Sequence, residues 1–124
     1  MHNKDINSIL QNKIPELAEE IEKVYAYWKY DRTPPHVLFA EVLNQNGFMS
    51  NLLLSECNTS LIKKLFNFFE EMAFCDDEEV RNLLQVTILE YLWGDINLLN
   101  RAHKYMHPET RRLSDELQIY FNPG

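Results

Sequence analysis

The sequence predicts an all-α fold: a compact single domain over residues 1–124, built from about six to eight helices that pack as antiparallel hairpins or stack as a short solenoid. Three observations carry this. Apolar residues recur at spacings of three and four through nearly every segment, the period of a helix face. No segment alternates apolar and polar residues between turns, as a half-buried strand would. Only three glycines occur in 124 residues, so the tight turns of a sheet are poorly supplied. This length buries a real core, and 45% hydrophobic with 25% charged residues is the balance of a folded protein rather than a disordered one.

Ile6, Leu10, Ile14, Leu17, Ile21, Val24 and Trp28 form one helical stripe. Pro15 interrupts it, and proline costs little in a first turn but breaks a helix interior. The spacing predicts a short helix to about Asn12 and a longer one from Pro15 to about Tyr30. The wet face of the second carries Glu16, Glu19, Glu20, Glu22 and Lys23. Asp31-Arg32-Thr33-Pro34-Pro35 reads as a turn and a helix start, with Thr33 as N-cap. The helix through Val37, Leu38, Val42 and Leu43 stops at Asn44-Gln45-Asn46-Gly47, a C-cap signature. Phe48 to Leu54 predicts a short apolar helix, and Asn58-Thr59-Ser60 offers N-caps for the next.

Leu61, Ile62, Leu65, Phe66, Phe68, Phe69, Met72 and Ala73 cover a wide arc of that helix and predict heavy burial, with a narrow wet strip at Lys63, Asn67 and Glu70. Asp76-Asp77-Glu78-Glu79 sits where the next helix begins, and carboxylates there complement the helix dipole. From Val80 to Trp93 one side carries Val80, Leu84, Thr87, Ile88 and Tyr91. The opposite side carries Val86, Leu89 and Trp93, so this helix is expected to be sandwiched at the centre. Gly94 ends it and Asp95 caps the next, whose apolar face is Ile96, Leu99, Ala102 and Met106, with His103 on it. Pro108 restarts a last helix with Arg111/Asp115 and Arg112/Glu116 as i,i+4 pairs and Leu113, Leu117 and Tyr120 facing inward.

The formal net charge of −7 argues against nucleic-acid binding, because phosphate neutralisation needs a basic face. No apolar run approaches the roughly 18 residues that span a bilayer, and MHNKDINSIL lacks the apolar core of a signal peptide. Cys57 and Cys75 lie in no CxxC or Cys/His pattern, so two reduced thiols in a cytoplasmic protein are expected. No Gly-rich phosphate loop, GxSxG motif or Cys/His signature is present, and no cofactor is implied.

Glu90 is the carboxylate embedded in the central helix. If buried it must be paired, and His103 is a candidate for a Glu90–His103 polar pair. His103 and His107 are four apart, which on a continuous helix can point two imidazoles at one metal. Pro108 disfavours helical backbone at His107 and opposes that geometry. The alternative function is therefore a small metal-dependent or acid/base enzyme using Glu90, His103 and His107.

The segments NKIPELAEEIEKVYAYW, TPPHVLFAEVL, LFNFFEEMAFCDDEEVRNLLQVTILEYL and AHKYMHPETRRL resemble a family of small uncharacterised bacterial all-helical proteins. The resemblance implies a helical cytosolic protein with no established activity. It is similar in size and charge to immunity proteins that neutralise a toxin. The expectation is a non-enzymatic protein–protein interaction module with a basic partner. Glu16, Glu19 and Glu20, with Asp76, Asp77, Glu78 and Glu79, would engage that partner through encounter rate and specificity. The chain would act as a monomer, or as a homodimer that buries Tyr25, Trp28 and Tyr30.

Overall fold

Pro15 sets the first bend of the chain. It ends the path of α1 (Ile6–Lys13) and opens a 3₁₀ turn (Pro15–Leu17) that runs directly into α2 (Ala18–Trp28). This is seen in a computed structural model that describes residues 1–29 and 33–121. The stripe expected across the bend is buried from Ile6 through Leu10, Ile14 and Leu17 to Ile21. It then drifts, so that Tyr25 is buried, Val24 is half-buried and Trp28 is exposed. The stripe holds across the bend, and beyond Ile21 the buried line follows the i+4 step to Tyr25 rather than the i+3 step to Val24.

The helix start expected at Thr33 is shifted. Helix α3 (Pro35–Phe39) begins after Pro34, and no side chain caps it. Thr33 is buried instead, and its carbonyl accepts from Asn7 Nδ2 at 3.0 Å. The turn expected at Asp31 and Arg32 lies outside the described residues. Helix α3 continues as a π-helical segment (Ala40–Gln45), which ends at Gly47 in the left-handed conformation (φ 81°) that glycine adopts without steric cost. Helix α4 (Phe48–Ser55) follows, and Asn58 caps α5 (Thr59–Ala73) by accepting from Leu61 N.

All eight apolar positions expected inside on α5 are buried. Phe66 lies edge-on to Phe69 with ring centroids 5.1 Å apart, and it also meets Tyr105 at 6.1 Å. Burying such a side chain contributes roughly 1.5–3 kcal/mol. Helix α6 (Glu78–Leu83), a second π-helical segment (Leu84–Leu89) and α7 (Glu90–Trp93) form one continuous rod beside it. Val80, Leu83, Leu84, Ile88, Leu89 and Leu92 are buried along this rod. Of the expected second face, Leu89 is buried and Trp93 packs partly against the core, but Val86 is 50% exposed, which corrects the reading there. The π segment hydrogen-bonds over five residues, so it re-phases the rod and turns Val86 outward.

Helices α8 (Ile96–His103), α9 (Pro108–Asp115) and α10 (Gln118–Phe121) close the molecule, with α9 packed on α5 and α8 packed on α4 and α7. The contacts of α9 with α5 and of α8 with α4 join elements far apart in the chain around one hydrophobic core that runs from Ile6 to Leu117. Ile96 and Tyr120, expected inside, are exposed at 62% and 76%. Both stand at the first or last turn of a short element, beyond the neighbouring helix. No strand occurs among the described residues, and no helix there is long and apolar enough to cross a membrane.

Candidate functional site

One packing contact makes the groove of the site. Helix α2 lies against the first π segment, and between them runs a groove of about 540 Å³. Val24, Tyr27 and Trp28 line it from α2, and Glu41, Gln45 and Asn46 line it from the π segment and its end. Tyr27 is 84% exposed and meets Trp28 edge-on at 6.2 Å. A π repeat matters for the second wall. Its i→i+5 bonding brings Glu41 and Asn46 toward one side, where an α-helix would separate them.

The carboxylates of the 3₁₀ turn and of α2 divide into two kinds. Glu16 is bound to Lys64 Nζ at 2.7 Å, and this hydrogen bond holds its carboxyl below the usual range. Glu20 pairs with Lys23 at 3.2 Å beside the groove. Glu19 and Glu22 are exposed and make no hydrogen bond or ion pair among the described residues. Surface pairs such as the first two contribute about 0–1 kcal/mol, so the face stays open to exchange partners.

The acidic run at 76–79 is partly consumed by the fold. Asp77 caps α6 through Glu79 N (2.9 Å) and accepts from the backbone of Asn3 at 2.8 Å. The Asn3 bond is the main reason its carboxyl is held below the ordinary value. Glu79 accepts from Asn3 Nδ2 at 2.9 Å, so this run also anchors the N-terminal segment. Asp76 and Glu78 remain exposed.

The expected Glu90–His103 pair does not form. Glu90 is half-buried, and its carboxylate makes no hydrogen bond or ion pair among the described residues. His103 Nε2 lies 3.4 Å from Ser114 Oγ, which also accepts from Trp93 Nε1 at 3.0 Å. Burial and the nearby Arg111 lower the His103 pKa, against a smaller opposing pull from Asp115. His107 does not join it. Its Nε2 sits 2.8 Å from Asn67 Oδ1 on α5, because α8 already ends at His103 and His107 is extended before Pro108. Among the described residues no group of three or more His, Cys, Asp or Glu could hold a metal ion.

Two polar residues matter more than the sequence suggests. Glu70, expected on the wet strip, reaches the start of α9 and accepts from Glu109 N, Thr110 N and Thr110 Oγ1. Burial raises its pKa, but these three bonds and the charge of His107 outweigh it and leave the carboxyl below its ordinary value. Asn44, buried at 8% exposure, donates from Nδ2 to the Thr87 carbonyl at 3.0 Å and ties the two π segments together. The pairing that could have signalled Glu70 is Pro108-Glu109-Thr110, a helix start whose preceding residue, His107, supplies no side-chain cap.

Fold and polar map together define the class: among the described residues, an all-α protein around one hydrophobic core. Residues 6–122 match a domain of unknown function, DUF7674, and the chain belongs to that family. No curated protein and no solved structure matches the chain.

Proposed function

We propose that the protein is a non-enzymatic, cytoplasmic protein–protein interaction module. Its binding face is α2, and its partner is a basic protein. The observation that carries this is the exposure of Glu19 and Glu22, uncommitted among the described residues, on the helix whose other open side walls a groove with Tyr27 and Trp28. Fixed negative charge steers a basic partner and sets register, while exposed Trp and Tyr supply the anchoring contacts of an interface. The most concrete form is an immunity-type protein of bacterial origin that neutralises a toxin, in line with the net charge of −7. Asp76 and Glu78 extend the acidic surface; Asp77 and Glu79 serve the fold first.

Of the aromatic dimer patch, Tyr25 is buried and Tyr30 lies outside the described residues. The reading therefore favours a monomer with a foreign partner over a homodimer.

The test is photo-crosslinking in the source cells. A photoreactive residue placed at Glu22 captures one basic protein; the same residue at Asn51 on α4 does not. Capture of the same proteins from both positions, or of none from Glu22, overturns the reading.

A further inference from the structure

We infer that the groove between α2 and the first π segment receives an arginine side chain of the partner protein. This rests on the interaction reading above and names the group recognised.

The groove combines what a guanidinium needs. Tyr27 and Trp28 offer exposed ring faces on one wall. Guanidinium stacks on such rings as well as attracting them electrostatically. Glu41 stands on the other wall, exposed, with no ion pair or hydrogen bond among the described residues. Lys23 also lines the groove and pairs with Glu20 at 3.2 Å, an exposed bond that an incoming guanidinium can exchange. Gln45 adds an amide oxygen on the Glu41 side, and Val24 gives an apolar surface for the aliphatic stem. A planar fork of five donors matches a carboxylate with amide acceptors beside it; an ammonium is a point charge that prefers water. Glu20 lines the groove as well, so with Lys23 its walls carry two carboxylates against one cation.

The experiment is a two-dimensional amide NMR titration of the full chain, in which Trp28 and Trp93 each give an indole N–H signal. The probe is a blocked Gly-Arg-Gly-Arg-Gly peptide, with its Lys analogue for comparison. The expected result is a saturable shift of the Trp28 indole and of the Glu41 and Gln45 amides, with the Trp93 indole unmoved. The Arg peptide binds about two- to fivefold more tightly than the Lys peptide. Glu41→Gln weakens it by a similar factor, Trp28→Ala abolishes saturation, and Glu71→Gln on α5 changes nothing. Circular dichroism confirms that each variant is folded.

Equal binding of the two peptides with no effect of Glu41→Gln overturns the inference, as does an unmoved Trp28 indole. The two readings fail separately. A basic partner captured through Glu22 whose affinity is untouched by Glu41→Gln and Trp28→Ala sinks the groove and leaves the module. A saturable, Arg-selective groove with no captured protein leaves the groove and sinks the module.

Discussion

Glu70 Oε1 accepts both the backbone N–H and the hydroxyl of Thr110, each at 2.8 Å, so a residue of α5 caps the start of α9 from 40 positions away. Pro108 occupies the first position of α9 and lacks a donor, and Glu70 takes the next two amides, of Glu109 and Thr110. Glu70→Ala removes a charge-assisted cap and leaves the buried Thr110 hydroxyl without this partner. Loss of about 1–3 kcal/mol is expected in urea unfolding. Glu71→Ala, whose exposed pair with Lys13 spans 3.3 Å, loses less than about 1 kcal/mol. Equal losses would count against the cap.

Acid stability follows from the same carboxyl. Its folded pKa lies below the ordinary value of 4.5. The unfolded chain then binds its proton first, so stability rises with pH across the gap. The contribution is complete above 4.5 and is lost as pH falls through the lowered folded value. Glu16 and Asp77 are shifted the same way. Urea midpoints measured downward from pH 6 fall less steeply below pH 4.5 in Glu70→Gln than in the wild type. Parallel curves would contradict this.

His103 predicts a second, separate window. Burial and Arg111 lower its pKa, so the folded state favours the neutral ring. Stability from the neutral ring is present above the ordinary value of 6.5 and is lost as pH falls from there through the folded value. The ring resonances of His103 should titrate with a midpoint below 6.5 by NMR. A midpoint above it would show that a carboxylate, after all, dominates its surroundings.

Asn44 tests the join between the π segments. Asn44→Ala leaves the Thr87 carbonyl without its side-chain donor, at a cost of about 1–3 kcal/mol. Hydrogen exchange should quicken first within residues 84–89, where the π segment depends on that bond. Uniform quickening across α5 and α9 as well would mean that the tie is not local.

The α5 core was legible because its apolar arc is wide enough to survive small errors of phase; all eight positions are buried. The i,i+4 pairs Arg111–Asp115 and Arg112–Glu116 were legible for a simpler reason, since helical spacing alone brings them together. Val86 was misread because a π segment re-phases the helix without glycine, proline or any other punctuation. Trp28 was misplaced because the buried line beyond Ile21 steps by four to Tyr25 and leaves the last turn of α2 at the surface. Glu70 looked like a surface residue since its partners lie a whole hairpin away. Of the candidate site, the acidic α2 face could be read directly. The groove beside it could not, because Glu41 and Tyr27 meet only in the folded chain.

The central claim is that the exposed face of α2 binds a basic partner through charge. The direct measurement is the affinity of the captured partner for the wild type and for Glu19→Lys/Glu22→Lys, by calorimetry at low and at physiological salt. The account predicts a loss on the order of tenfold at low salt, carried mainly by the association rate and shrinking as salt screens the charges. An affinity unchanged by the double reversal at low salt would contradict it.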